Sequence, residues 1–350
     1  MSDQMQHITL ASRPEGAPTP DNFALQTAPV PTPGAGEVLV RVHYMSLDPY
    51  MRGCMDGGKS YAAAVPIGAT MEGGGVGEVI ASQSDRFQPG DIAFGPFGWA
   101  THAVAPAQQC RKVDPEAAPI TTSLGMLGMP GFTGWYALHE LGRPQPGETL
   151  VVAAATGPVG AMVGQLAKSL GLRTVGIAGG PDKCALATDT FGFDTCLDHR
   201  AHADARSLRT ALAEAAPDGV DIYFENLGGK VLEAVIPLMN PHGRIPLCGM
   251  ISWYNAGGLG AGAEAALSVP ALWRTILVQH LSVQGFIISN HWDRFPTFLA
   301  EVAPKVQSGE IKVLEDIADG LENAPAAFIG LLEGKNVGKQ MVRLIKGASA

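Results

Sequence analysis

Nowhere does the sequence hold an unbroken apolar run of the roughly 18 residues a membrane-spanning helix requires, so a helical membrane protein is excluded. The opening stretch MSDQMQHITLASRPEG lacks the positive start and apolar core of a signal peptide, and a cytoplasmic protein is expected. Cysteine is scarce: Cys54, Cys110, Cys184, Cys196 and Cys248 are odd in number, widely spaced and never in a CxxC pair, which argues against a disulfide framework or a zinc knuckle. Positive charge is also in deficit. With 24 Lys and Arg against 33 Asp and Glu, the net charge of -9 leaves no basic surface for nucleic acid.

What is present is a chain of 350 residues, longer than a single core usually supports, so two domains are expected. Its first part is punctuated by Pro and Gly between short alternating runs such as GEVLVRVHYMSLD (36–48), GGGVGEVIAS (73–82) and GDIAFG (90–95), the pattern of an irregular all-β unit. From about residue 125 apolar strands, TLVVAAA, RTVGIAG, VDIYFEN and GRIPLCG, alternate with helical segments, PVGAMVGQLAKSL, SLRTALAEAA and GKVLEAVIPLMN. That alternation predicts an α/β fold, a doubly wound parallel sheet of Rossmann type. The glycine-rich stretch 255–268 reads as a loop, either beside a site or simply on the surface.

The strand 149–155 leads into a turn spaced like a dinucleotide fingerprint, G-x-G-x-x-G, with Ala155 in place of the first glycine. Gly157 would let backbone approach a pyrophosphate, Pro158 suits a first helical position, Val159 follows it, and Gly160 would permit close helix–strand packing. Glycines that serve packing alone are the alternative; strand, Pro-led helix and second strand together favour a cofactor. NAD-selective folds usually end the second strand in an acidic residue that bonds the ribose. Here it ends in Ala178-Gly179-Gly180, and Lys183 follows, a match for the doubly charged 2′-phosphate of NADPH. Arg200 offers a second cation, and Asp182 is expected to cap a helix rather than face the phosphate.

Catalytic zinc needs Cys, His or carboxylate ligands converging on one open site, and around HYMSLDPYMRGCM (43–55) and GATMEG (68–73) neither His43 nor Cys54 has suitably spaced partners. No metal is therefore expected. Hydride delivery to an already conjugated double bond suits such a site, because the substrate's own carbonyl carries the developing charge.

Several peptides together resemble the zinc-independent medium-chain dehydrogenase/reductases, in the branch of alkenal double-bond, prostaglandin and curcumin reductases. They are SLDPYMRG (46–53), GMLGMPGFTGWYAL (125–138), AAATGPVGAMVGQLAK (153–168), GIAGGPDKC (176–184), FENLGG (224–229), GRIPLCGMISWYN (243–255), VQGFIIS (283–289) and LLEGKNVGKQMV (331–342). The resemblance implies a GroES-like catalytic domain over 1–125, a Rossmann domain over 126–300 and a C-terminal return to the first domain over 301–350. It also implies that Gly157, Pro158, Val159 and Gly160 bind pyrophosphate, with Gly180 and Lys183 at the 2′-phosphate and Asn226 beside the cofactor. Cys248, Gly249, Met250, Ile251 and Tyr254, with Phe286, Ile287 and Ile288, would flank the nicotinamide, and Asn336 would close on it. Where the family commonly has a tyrosine beside the 2′-phosphate, His199 stands here, next to Arg200.

The implied reaction is NADPH-dependent reduction of the carbon–carbon bond of an enone or enal, with a tyrosine hydroxyl sharing its proton with the enolate oxygen. Tyr254 is the first candidate, and Tyr61 and Tyr50 are implied to border the same cleft. Each phenol could instead serve packing. A quinone reductase on the same fold and a noncatalytic NADPH-binding protein are the rival readings. The resemblance further implies a homodimer formed by edge-strand extension of the Rossmann sheet.

Overall fold

The computed structural model describes residues 4–58, 61–257 and 268–345. Most of the 255–268 stretch lies outside the described residues. The chain divides into two compact units, one running to Gly128, taking in a short segment that starts at Asn255 and resuming at Leu314, the other covering Met129–Tyr254 and continuing to Val313. No helix among the described residues is long and apolar enough to cross a membrane.

The second unit is built on a six-stranded sheet, every pairing parallel, in the spatial order Thr195–Asp198, Arg173–Ala178, Thr149–Ala153, Val220–Phe224, Met239–Leu247 and Ser282–Gly285. Numbered along the chain this is 3-2-1-4-5-6, the Rossmann order, and the expected doubly wound α/β sheet is present. Parallel strands covered on each face read as unbroken apolar runs: Leu150, Val151, Val152 and Ala153 are all 0% exposed. The fingerprint helix Pro158–Ser169 lies close enough to the sheet that a methyl group on Gly164 would fall 1.9 Å from the Phe193 ring.

One helix is shorter than its pattern. GKVLEAVIPLMN is helical only over Gly229–Val235, a 3-10 turn takes Ile236–Leu238, and Met239 already opens the next strand. Pro237 has no N–H to continue an α-helical ladder, so the helix gives way around it.

The first unit is mainly β, as its alternating runs predict. Its seven-stranded sheet runs Glu315–Asp319, Lys339–Arg343, Glu37–Ser46, Gly75–Ser82, Ile92–Gly95 and Arg111–Val113, with His102–Pro106 also paired to Glu37–Ser46. The late strand Lys339–Arg343 lies antiparallel to Glu37–Ser46 in the register Met341 to Ser46 and Arg343 to Tyr44. A buried ion pair fastens that return. Lys339 Nζ donates to Asp48 Oδ1 at 2.8 Å and to the Leu47 carbonyl at 2.7 Å, and Ser46 Oγ donates to the other Asp48 oxygen. Burial lowers the Lys339 pKa while Asp48 opposes the shift.

Replacing Lys339 by Met would strand the Asp48 carboxylate in the interior. A loss of about 3 kcal/mol is expected, largely recovered when Asp48→Asn is added, as read by urea denaturation. An unchanged midpoint in the single variant would show that the pair fastens nothing.

Candidate active site

In an open α/β sheet, ligands bind at the carboxyl ends of the strands where the order reverses. Here that point lies between Thr149–Ala153 and Val220–Phe224. Beyond the first of these strands Ala154 turns through a positive φ of 53°, and the Gly157 N–H donates to its carbonyl at 3.0 Å. Gly157 is the N-cap of the fingerprint helix, no side chain caps it, and Pro158 occupies the first turn. The half-buried, uncapped start of a twelve-residue helix therefore presents N–H groups and a partial positive charge, which suits a phosphate. Gly160 is obligatory in this turn, since a Cβ there would fall 2.3 Å from the Ala154 carbonyl oxygen. Across the switch point Asn226 Nδ2 donates to the Ala153 carbonyl at 3.0 Å, tying the two strand ends together.

Beside this turn, at the end of Arg173–Ala178, lies a cluster of cations. Gly180, with φ of 109°, is the N-cap of the helix Pro181–Asp189, and a Cβ there would meet nothing within 4 Å. At Gly179, in contrast, a Cβ would fall 2.9 Å from Arg200 Nε and 3.2 Å from His199 Nε2, so both side chains lean over the glycine pair. Asp198 accepts the Gly180 N–H at 2.8 Å and the Arg200 N–H at 2.9 Å. Burial works against its charge, yet those two bonds hold its carboxyl below the usual carboxylate range. Burial first, then Lys230, Arg200 and Lys183, push the His199 pKa down.

Two details differ from the sequence pattern. Asp182 is no cap: the cap position is Gly180, and Asp182 sits exposed in the first turn, where the helix dipole favours it without a side-chain bond. Nothing in the local pattern marks Lys230, yet its Nζ donates to the carbonyls of His199 at 2.8 Å and His202 at 2.5 Å, holding the segment that carries His199 and Arg200. The only local signal is its place beside the Gly228-Gly229 helix start.

Glu225, 1% exposed, follows the strand Val220–Phe224. One of its oxygens accepts the N–H groups of Leu227 at 2.6 Å and Gly228 at 2.8 Å, and the other accepts the Tyr223 hydroxyl at 3.0 Å. Its backbone carbonyl accepts Cys248 N–H at 3.0 Å and Gly249 N–H at 3.2 Å, and the Asn226 and Leu227 carbonyls accept Ile251 and Ser252 N–H. The loop from Cys248 to Tyr254 is thus laid against the turn after Glu225. At its end the Tyr254 oxygen accepts the Met250 N–H at 3.4 Å, which leaves the phenolic proton for another acceptor. Burial raises the Tyr254 pKa, so the hydroxyl stays protonated at neutral pH. Burial, with Glu225 adding to it, pushes the Cys248 thiol up to about 12. Phe286 follows the strand Ser282–Gly285 and packs on Tyr136 with ring centroids 6.0 Å apart, while Ile287 caps the turn that Ile288 opens.

In the other unit, Tyr50 caps the short helix Met51–Cys54. Burial raises its pKa, with Asp48, Glu72, Cys54 and Tyr61 adding to it, so Tyr50 and Tyr61 are electrostatic neighbours. Tyr61 is 49% exposed. Cys54, considered for zinc, instead donates its thiol to Glu72 Oε1 at 2.8 Å. Asn336 Nδ2 donates to the Gly338 carbonyl at 2.8 Å, shaping the turn before the return strand. Among the described residues no group of His, Cys, Asp and Glu could hold a metal ion.

The sheet order and the glycine-led, uncapped helix fit a dinucleotide, and the Arg200 guanidinium and His199 ring over Gly179 fit an added phosphate. A family model described as the N-terminal domain of oxidoreductase matches residues 6–113, and one described as zinc-binding dehydrogenase matches residues 158–304. The chain is 49% identical to the NADPH-dependent curcumin reductase of Escherichia coli, across 96% of this chain and 95% of that protein. It is 37% identical to prostaglandin reductase 1 of Bos taurus, across 96% and 98%. The 2-alkenal reductase (NADP(+)-dependent) of Nicotiana tabacum is 40% identical across 88% of each chain. The crystal structure of CurA from Vibrio vulnificus in complex with NADPH superposes with a TM-score of 0.91 at 47% identity, covering 97% of this chain and 99% of that one. The chain belongs to the medium-chain dehydrogenase/reductases, in the branch of NADP-dependent curcumin, alkenal and prostaglandin reductases.

Proposed function

We propose that this oxidoreductase reduces the carbon–carbon double bond of α,β-unsaturated ketones and aldehydes with NADPH. The observation that carries this reading is Tyr254, a buried phenol whose oxygen takes a backbone N–H and whose proton remains for a substrate oxygen. Bound NADPH supplies the hydride. The substrate accepts it at the β-carbon, its carbonyl oxygen gains the negative charge, and a proton completes the α-carbon. Tyr254 donates a hydrogen bond to that oxygen as the charge develops, a role that needs a phenol still protonated at neutral pH. Tyr50 and Tyr61 are further phenols assigned to the substrate side. Gly157, Val159 and Gly160 offer the pyrophosphate their backbone while Pro158 leads the helix. Gly180, Lys183, His199 and Arg200 receive the 2′-phosphate. Asn226, the loop Cys248, Gly249, Met250 and Ile251, the backbone of Phe286 to Ile288, and Asn336 are assigned to the rest of the cofactor.

We further propose a second copy of this chain as partner. Ser282–Gly285 ends the Rossmann sheet with every residue exposed. The preceding helix Val269–Val278 leaves Trp273 64% and Leu277 76% exposed. A two-fold axis at that edge would pair strand with strand and cover both helices.

With Tyr254→Phe, turnover of an enone is expected to fall about 100-fold while NADPH affinity changes little. Unchanged turnover would remove the phenol from the chemistry, and an enzyme that oxidises NADPH with quinones but with no enone or enal would overturn the substrate class. Lys183→Ala is expected to weaken NADPH by about tenfold or more and NADH hardly at all; equal losses in a binding titration would contradict the phosphate assignment. Leu277→Asp is expected to turn a dimer into a monomer in light scattering, and a monomeric unmodified protein would refute the partner.

A further inference from the structure

We propose that His199 binds the cofactor's 2′-phosphate as an imidazolium, taking its proton from solvent as NADPH enters, so that selection of NADPH over NADH is coupled to pH. This rests on the NADPH reading above.

The geometry comes first. His199 Nε2 and Arg200 Nε lie 3.2 Å and 2.9 Å from where a Cβ on Gly179 would stand, and the space above the next residue, Gly180, is open. A phosphate placed over the glycine pair would therefore meet a ring nitrogen as well as a guanidinium. The backbone that carries the ring is held in place, because the carbonyl of its own residue accepts a bond from Lys230 Nζ at 2.8 Å. The next residue in the turn is held too, with the Arg200 N–H on Asp198.

The charges around the ring decide its protonation. Lys183 acts on it from the helix Pro181–Asp189, Lys230 from the helix Gly229–Val235, and Arg200 from its own turn, with Asp198 opposing. On the neighbouring helix Ala205–Ala215, Arg209 is directed elsewhere, to the Glu233 carbonyl at 3.4 Å. Half-buried among cations, the ring is held neutral at neutral pH when no anion is present. A phosphate monoester brings a charge of about -1.5 to -2 and has a second pKa of about 6. Opposite charge at hydrogen-bond distance favours the protonated ring, and an imidazole is the side chain whose ordinary range lies near neutral pH, so the proton gained belongs to His199. One proton leaves solvent, one N–H bond forms on the ring, and no other bond changes. The phosphate's own contribution has the opposite sign: it gives up any residual proton on binding. Net uptake therefore distinguishes the two groups. NADPH affinity should fall as pH rises through the pKa of the occupied ring, whereas NADH affinity should not follow.

The test is calorimetry of NADPH and of NADH binding to the whole protein at about pH 7.5, in buffers of different ionisation enthalpy. NADPH is expected to bind more tightly than NADH and to take up about half a proton more. In His199→Gln the excess uptake should vanish, while NADPH remains the tighter ligand through Lys183 and Arg200. Tighter NADPH binding by the unmodified protein with no excess proton would overturn the role of His199 and leave the phosphate site standing. NADPH binding no tighter than NADH would overturn the site and the proposal together. Because the unmodified protein decides both, a poorly folded variant does not remove the test.

Discussion

Glu225 lies in the interior of the unit that carries the parallel sheet, 1% exposed, and burial raises its pKa. A carboxyl group placed there is tolerable only because three donors reach it: the N–H groups of Leu227 and Gly228 and the hydroxyl of Tyr223. The dependence is mutual. The chain turns sharply through Gly228 and Gly229, both at positive φ, and those N–H groups would be orphaned without an acceptor. On the turn so formed the loop from Cys248 to Tyr254 is cast, bond by bond, through the carbonyls of Glu225, Asn226 and Leu227. The phenol assigned to catalysis therefore takes its position from a carboxyl group that never meets the substrate.

The end proposed to take the 2′-phosphate is organised on another principle. There side chains hold the backbone: Asp198 fixes the Gly180 and Arg200 N–H groups, and Lys230 fixes two carbonyls. Burial lowers the His199 pKa, and the cations gathered around the ring lower it further. An arriving anion relieves their repulsion. One end of the proposed cofactor site is thus rigid through satisfied hydrogen bonds, and the other is poised by electrostatic imbalance.

The parts legible in the sequence are those whose cause is local. A strand, a tight turn and a Pro-led helix follow one another within about twenty residues, so the fingerprint and its helix can be read directly. Four of the six parallel strands stand out as apolar segments between helical ones, and Thr149–Ala153 is the clearest because every residue in it is buried. Pro237 also acts locally, yet its effect on the helix was hidden by the apolar periodicity running through it. The roles of Lys230 and Lys339 are not local: one acts on carbonyls of His199 and His202, the other on Asp48 near the opposite end of the chain, and no short-range pattern announces either. The return strands were legible only through family resemblance, because a five-residue stretch such as KQMVR carries too little periodicity to name its partner.

The antiparallel pairing of Lys339–Arg343 with Glu37–Ser46 has a consequence for how the protein is made. Synthesis runs from the amino terminus, so the central unit can assemble its sheet once the chain has passed Gly285, while the first unit still lacks two strands. Until residue 339 emerges, Asp48 has no ammonium partner and Glu37–Ser46 leaves part of an edge unpaired beside Met341's future place. The nascent chain thus carries an incomplete β sheet through most of translation, and that edge is where a chaperone would have most to protect.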